Sequence, residues 1–292
     1  MSKFFNETRK AQKWAANEEI ERDRVLRGML KTLGRADTVS TEVSEARVHS
    51  AKTIQIPHRA GVPLIVGNGS SNGYGGEASA KRAVESYRAL RTRVLRHEST
   101  SGLRSIVVTS ALAGEGKTVT TLNLAQCCAQ IRDQRVLIVD ADLRTRGLTR
   151  LLGLSGPGLS DVLSGRLEFE DAAAGTDVGN LYVVGGGEAT TSVPELLAET
   201  RWKEFMGWCA ESFKLVIVDA PPILPVTDFE LISTECDGVV MVVLARKTQR
   251  DLLQKAAAQV DKRKLLGVVF NATNHSRKER DYYSYYGQDA NS

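Results

Sequence analysis

The stretch Thr109-Ser110-Ala111-Leu112-Ala113-Gly114-Glu115-Gly116-Lys117-Thr118 constrains this chain more than any other. The run before it, Ser105 to Thr109, is short and apolar and reads as a buried strand. The run after it, Thr118 to Ile131, places Leu122, Leu124, Ala125 and Cys128 at helical spacing. Strand, glycine-containing loop, Gly-Lys-Thr and helix, in that order, are the context that makes a phosphate-loop match meaningful. Glycines let backbone N–H groups close around an anion with no Cβ in the way. The helix start adds free N–H groups and the positive end of its dipole. The nucleotide is therefore expected along Ala113, Gly114, Glu115, Gly116, Lys117, Thr118 and Val119. Lys117 is expected to reach the β- and γ-phosphates of ATP, and the Thr118 hydroxyl to hold Mg²⁺. Ala111 stands where such loops usually begin with glycine, so the turn there must avoid strongly positive φ.

From Ser105 onward the chain alternates apolar strands with helical patterns. The strands are Ile106 to Thr109, Val136 to Val139, Leu181 to Val184, Leu215 to Val218, Val239 to Leu244 and Leu266 to Phe270. Near-continuous Val/Ile/Leu runs are expected of strands covered on both faces. The fold class is α/β, a P-loop NTPase-like and mostly parallel sheet with helices on both faces. Ligands in such sheets sit at the carboxyl ends of the strands. Two predicted strands run into acids there: Val136–Val139 into Asp140-Ala141-Asp142, and Leu215–Val218 into Asp219-Ala220-Pro221-Pro222. An apolar strand ending in Asp is the second mark of a Mg²⁺–nucleotide site. Asp219 would complete the metal's shell. The doubled Asp140 and Asp142 offer one extra carboxylate, to hold the metal or to take a proton from an incoming hydroxyl.

Outside this core the chain divides by composition. Residues 1–34 form a charged helical segment with Ile20, Val25, Leu26, Met29, Leu30 and Leu33 at helical spacing, a candidate docking helix. Residues 35–78 read as a flexible linker, with the glycine- and serine-rich tract Gly67 to Gly76 and one short apolar run, Pro63 to Val66. The nucleotide-binding domain is expected over 79–276. It opens with a helix from Ala80 to His97, on which Glu85, Arg88 and Arg91 are expected to share a face. Residues 277–292 are a tail in which Tyr282, Tyr283, Tyr285 and Tyr286 gather four of the chain's seven tyrosines. Flanking charge and the polar end argue against a buried strand there. The four cysteines form no Cys-x-x-Cys pair and read as buried free thiols. A net charge of +4 is too mild to indicate nucleic acid. With no 18-residue apolar run and no signal-peptide pattern, a cytoplasmic location is expected, with membrane association only through a partner.

These motifs together resemble the cytoplasmic kinase domain of bacterial tyrosine kinases, the autokinases of capsule and exopolysaccharide assembly. The resemblance rests on Ala111 to Thr118, on Val139-Asp140-Ala141-Asp142-Leu143-Arg144, and on Leu215 to Asp219 with Ala220-Pro221-Pro222 and Val226-Thr227-Asp228. It also rests on Gly158 to Gly165, on Pro194-Glu195-Leu196-Leu197, and on Glu85-x-x-Arg88-x-x-Arg91. It covers about Ser79 to Gly287. Two departures stand out. Arg146 replaces the proline usual two residues after the motif arginine, and the segment from Gly185 to Val193 lacks the usual prolines.

The resemblance implies a non-specific protein-tyrosine kinase that phosphorylates its own tail in trans, using ATP and Mg²⁺. Lys117, Asp140 and Asp142 would be catalytic, and Thr118, Asp142 and Asp219 would hold the metal. Tyr282, Tyr283, Tyr285 and Tyr286 would be the phosphate acceptors. Glu85, Arg88 and Arg91 would form the contact of a ring-like homo-oligomer. Extended chain from Asn271 to Tyr282 spans roughly 35 Å, enough to reach a neighbouring subunit. A membrane-spanning adaptor of the chain-length-regulator type and a tyrosine phosphatase are the implied partners, and the adaptor would recruit the kinase to the inner face of the cell membrane. The rival is an ATPase switch similar to the ParA and MinD proteins. That group carries a signature lysine at the loop position filled here by Leu112, and it lacks a tyrosine-rich tail.

Overall fold

A computed structural model describes residues 76–188 and 192–272, with side chains from 82 onward. The N-terminal helical segment, the linker up to residue 75, the Pro63–Val66 run and the tyrosine tail lie outside the described residues; the last three positions of the expected linker, 76–78, are helical.

The chain opens with α1 (Gly76–Ser101) and enters β1 (Ser105–Ser110), followed by α2 (Lys117–Ala129) and β2 (Val136–Asp140). Three short helices come next: α3 (Gly147–Leu152), α4 (Leu159–Leu163) and α5 (Phe169–Ala172). Then come β3 (Ala174–Gly175), β4 (Leu181–Val184), α6 (Val193–Ala198), α7 (Thr200–Ser212) and β5 (Leu215–Asp219). The remainder is α8 (Asp228–Thr234), β6 (Gly238–Leu244), α9 (Arg250–Ala258) and β7 (Leu265–Asn271). The sheet order is β3-β4-β2-β5-β1-β6-β7, parallel except where the two-residue β3 runs antiparallel to β4. The six apolar strands read from the sequence are all present, each within two residues of its expected bounds.

Strand side chains alternate between faces, and the two faces serve two cores. Val107, Leu137, Val139, Val216 and Val218 pack with Trp202 and Phe205 of α7, Leu159 of α4 and Phe229 of α8. Ile106, Val108, Val136, Ile138, Leu215 and Ile217 pack with Leu122 and Leu124 of α2, Leu148 of α3 and Val94 of α1. Burial on both sides is why these strands read as unbroken hydrophobic runs. The first core is rich in aromatics: Phe205 stacks on Trp208 at 5.9 Å and meets Phe169 edge-on at 5.8 Å. All four cysteines are buried and free.

The strand order positions the site. β1, β5 and β2 are neighbours, although about a hundred residues separate β1 from β5 in the sequence. Val108 is in register with Asp219, and Asp140 is in register with Asp219. The phosphate loop and both acidic strand ends therefore meet at one edge of the sheet.

Helix α1 lies against α2 through Tyr87, Leu90 and Val94. Of the expected charged face only part forms. Arg88 pairs with Glu85 at 2.6 Å, both largely exposed, whereas Arg91 turns inward and donates to the Cys127 carbonyl at 3.0 Å. The reason is rotational. At about 100° per residue, Glu85 and Arg91 stand roughly 120° apart rather than on one face. A cation near the last turn of α2 also suits the negative end of that helix dipole.

Candidate nucleotide and acceptor site

The loop after β1 is closed by its own side chains. Gly114 and Gly116 have φ of 80° and 93°, in the left-handed half of the map where a side chain is strained. Ala111 is not among the positive-φ residues, as its Cβ requires. The Leu112 N–H donates to Glu115 Oε2 at 2.9 Å, and the Thr248 hydroxyl donates to Glu115 Oε1. Asn271, at the end of β7, donates through Nδ2 to the Glu115 carbonyl at 3.0 Å. Glu115 is thus buried as a brace of the loop, tied to the turn that follows β6 and to the end of β7. Sequence reasoning missed Thr248 and Asn271; both lie more than 130 residues from Glu115, and neither belongs to a local motif. Helix α2 starts at Lys117 with no side-chain cap, which leaves its first N–H groups for a ligand.

The charged groups form one cluster. Lys117 Nζ donates to Asp142 Oδ2 at 2.8 Å and lies 3.8 Å from Asp219 Oδ1. The Thr118 hydroxyl donates to Asp219 Oδ2 at 2.7 Å, and the Thr121 hydroxyl approaches Oδ1 at 3.4 Å. Asp142 Oδ1 accepts the Thr145 N–H at 3.1 Å. Burial drags the Lys117 ammonium pKa down, but Asp219 and Asp142 outweigh it and leave it raised. Burial likewise lifts Asp142, but Lys117 outweighs it and leaves the acid below its usual range. Asp219 is fully buried, and that burial pushes it up to about 7 despite Lys117.

Asp140 behaves differently from its expected role. Its Oδ2 accepts the Thr149 N–H at 2.7 Å and the Thr149 hydroxyl at 2.6 Å, while its buried Oδ1 has no partner. It does not line the cleft beside the loop. Burial raises its pKa. As the last residue of β2 it projects into the sheet face covered by α2 and α3, and there it fastens α3. Asp140 thus holds α3 rather than facing the nucleotide, contrary to its expected catalytic part; of the two acids, only Asp142 lines the cleft.

That cleft is open, about 500 Å³, and lined by Ala113, Gly114, Gly116, Lys117, Thr118 and Val119 on the loop side. These are the expected nucleotide residues except Glu115, which is turned inward as the brace. Asp142, Arg144, Thr145 and Arg150 add charge and polarity, and Pro221, Pro222, Pro225 and Val226 add an apolar side. A depression of about 610 Å³ lies at the other end of the strands, lined by His97, Asp237, Arg263 and Lys264 among others. It contains none of the expected site residues, and the chemistry belongs to the smaller cleft.

Arg144 makes a two-pronged pair with Asp228, Nε to Oδ2 at 2.6 Å and Nη2 to Oδ1 at 3.0 Å. This gives a physical reason for the second acidic motif after β5: it anchors the loop carrying Asp142 to α8. Among the described residues no group of three or more His, Cys, Asp or Glu side chains is arranged to hold a metal. The donor set of Thr118, Asp142 and Asp219 still fits Mg²⁺, which binds through one or two carboxylates together with phosphate oxygens and water.

A family model described as the CobQ/CobB/MinD/ParA nucleotide binding domain matches residues 106–290. The chain is 34% identical over 210 residues to the tyrosine-protein kinase YwqD of Bacillus subtilis (strain 168), covering 71% of this chain and 87% of that one. It is 31% identical over 213 residues to the tyrosine-protein kinase CpsD of Streptococcus agalactiae, covering 72% and 92%. Among solved structures, the kinase domain of the Escherichia coli tyrosine kinase ETK aligns with a TM-score of 0.61 at 27% identity, over 66% of this chain and 78% of that chain.

Proposed function

The chain belongs to the CobQ/CobB/MinD/ParA nucleotide-binding family and, within it, to the bacterial tyrosine-protein kinases; from that membership we propose that it transfers phosphate from ATP to the tyrosines of its own tail, in trans. The observation that carries the reading is the convergence of Lys117, Thr118, Asp142 and Asp219 at the mouth of the loop, beside an open cleft.

The loop backbone and the start of α2 bind and orient the phosphates. Lys117 exchanges its present carboxylates for the β- and γ-phosphate oxygens. Thr118, Asp142 and Asp219 would hold Mg²⁺, which supplies charge neutralisation on those oxygens when bound. In the transfer, the bond from the γ-phosphorus to the β–γ bridging oxygen breaks and ADP departs with the electron pair. A bond from the phenol oxygen to phosphorus forms, and the phenolic proton passes to Asp142. A phenol has a pKa near 10, so a carboxylate within reach eases that loss. Phosphoryl transfer of this kind depends mainly on positioning and charge stabilisation: the loop N–H groups and Lys117 supply the charge, and Asp142, pinned by the Thr145 N–H, supplies the position.

The acceptors are Tyr282, Tyr283, Tyr285 and Tyr286. The exposed Glu85–Arg88 pair supports a ring contact, with Arg91 serving the fold of the same helix. Each phosphate adds about −1.5 to −2 charge, so four add roughly −6 to −8 to a tail that is now near balance. That charge repels the tail from the site's aspartates and loosens the ring. No helix among the described residues is long and apolar enough to cross a membrane. We assign recruitment from the cytoplasm to the membrane to a chain-length-regulator-type adaptor, removal of the phosphates to a tyrosine phosphatase, and the biological setting to exopolysaccharide or capsule production.

The test is incubation with labelled ATP and Mg²⁺ beside Lys117→Met and a truncation ending at Asp281. Label on the intact protein, absent from both variants, is expected. Nucleotide turnover with a tail that is never esterified would favour the ATPase-switch reading and overturn this one.

A further inference from the structure

Three arginines come from one stretch beside the cleft. Arg144 is committed to Asp228 by two bonds, and Arg146 donates to the Gly187 carbonyl at 3.0 Å. Arg150 lines the cleft, is exposed, and has a guanidinium with no hydrogen-bond or ion-pair partner among the described residues. Its helix abuts the site: a Cβ on Gly147 would lie 3.0 Å from the Thr118 hydroxyl oxygen. Arg150 is three residues further, about 4.5 Å along the axis. Its charge therefore stands near the phosphate-handling groups without being one of them.

The same cleft has an apolar side of Pro221, Pro222, Pro225 and Val226. Proline offers no N–H to a phosphate, but a rigid apolar surface suits a phenol ring. Ring-accepting wall and uncommitted cation together describe a site for a tyrosine with an anion beside it. The tail has that chemistry. Asp281 precedes Tyr282, and in the pairs Tyr282-Tyr283 and Tyr285-Tyr286 each tyrosine, once esterified, becomes an anionic neighbour of the other.

We propose that Arg150 is a specificity-determining residue that reads a negative group adjacent to the acceptor tyrosine: a carboxylate before the first transfer and a phosphate after it. The inference rests on the kinase reading above and uses the transfer written there. Its consequence is order. One modified tyrosine makes its neighbour a better acceptor, so the cluster fills cooperatively rather than at random.

The experiment uses the full chain carrying Tyr282→Phe, Tyr283→Phe, Tyr285→Phe and Tyr286→Phe, so that its own tail no longer competes with added peptide. The probes are peptides copied from 280–287, each with a single free tyrosine. That tyrosine is preceded by Asp, by Asn, or by phosphotyrosine. With Arg150 present, kcat/KM should favour the Asp peptide over the Asn peptide by about three- to fivefold, the range of a partly exposed ion pair. The phosphotyrosine peptide should gain more, on the order of tenfold, because a guanidinium grips phosphate with two bonds. The gain should lie in peptide KM. Arg150→Ala should bring the three peptides together, with no matching rise in the KM for ATP, and Arg150→Lys should keep part of the preference. Preference surviving in Arg150→Ala, or lost together with ATP affinity, overturns the inference. Equal transfer to all three peptides by the protein with Arg150 intact overturns it while leaving the kinase reading standing. Absence of transfer to any of them, and to the tail of the unsubstituted chain, overturns both.

Discussion

Lys117→Met should silence transfer and also unsettle the fold in a pH-dependent way. The Lys117 ammonium is buried, 2.8 Å from Asp142 and 3.8 Å from Asp219, and both acids are buried beneath it. Lys117 is raised above 10.5, so its contribution is complete below that value and is lost only as pH climbs through the folded-state pKa. Asp142 is lowered below 3.8, so its contribution is complete above that value and is lost only as pH falls through the folded-state pKa. From about pH 5 to about pH 9 the pair is therefore fully formed and adds no slope. Without the lysine, Asp142 is a buried carboxylate with no cation, and it takes up a proton rather than carry an unpaired charge. Its pKa then rises, and stability falls by about 1.4 kcal/mol for each pH unit between the unfolded value and the raised folded value, and is level above it. Breaking a buried pair from one side costs about 3–5 kcal/mol. We expect that full loss near pH 8 and a distinctly smaller one near pH 5.5, measured by urea unfolding of the full chain without nucleotide or magnesium. Adding Asp142→Asn to Lys117→Met should recover most of the loss at pH 8. A loss equal at both pH values, or unmoved by the second substitution, would refute the view that Lys117 is the counter-ion that keeps Asp142 ionised.

Three further outcomes follow from the same geometry. Asp219 is pushed up to about 7, so the folded chain keeps a proton that the unfolded chain releases above 3.8; stability without magnesium should fall as pH rises through that window. Asp219→Asn should flatten the slope and gain roughly 1–3 kcal/mol at pH 8 in urea titrations, while abolishing transfer. Arg144→Ala strands the buried Asp228 carboxylate and should cost about 2–4 kcal/mol by the same measurement, more than Asp228→Asn, which leaves no buried charge behind. Gly116→Ala meets two penalties: a side chain at φ 93°, about 1–3 kcal/mol, and a Cβ driven against Asn271 Nδ2. The amide can swing away only by giving up its bond to Glu115, about 1 kcal/mol more, so Asn271→Gly should remove that second part of the cost and leave the first.

How much of this was legible in the sequence depends on how far each feature can be inferred from neighbours along the chain. The six long strands and α1 were readable because burial on both sheet faces, or at every third or fourth helical position, leaves a local mark. The two-residue β3 leaves none; only its pairing with β4 defines it. The acids are the instructive case. Asp140 and Asp142 look equivalent as a pair two residues apart. Yet Val136, Ile138 and Asp140 alternate onto the face that holds α2 and α3, as do Leu215, Ile217 and Asp219. Carrying the alternation one residue past the apolar run would have aimed Asp140 and Asp219 the same way, in register with each other. What separates them is what lies above: Thr118 and Thr121 of α2 over Asp219, and Thr149 of α3 over Asp140. Asp142, beyond the strand's end, is brought to Lys117 by the turn that Arg146 closes with its N–H on the Asp142 carbonyl, at φ 47°. Proline can supply neither that φ nor that N–H. The two departures from the family pattern, arginine for proline at 146 and the proline-free segment from Gly185, meet in the fold. The Arg146 guanidinium reaches the Gly187 carbonyl, and a Cβ on Gly186 would come to 3.0 Å from the Arg146 side chain. Read along the chain they are forty residues apart; across the fold they are in contact.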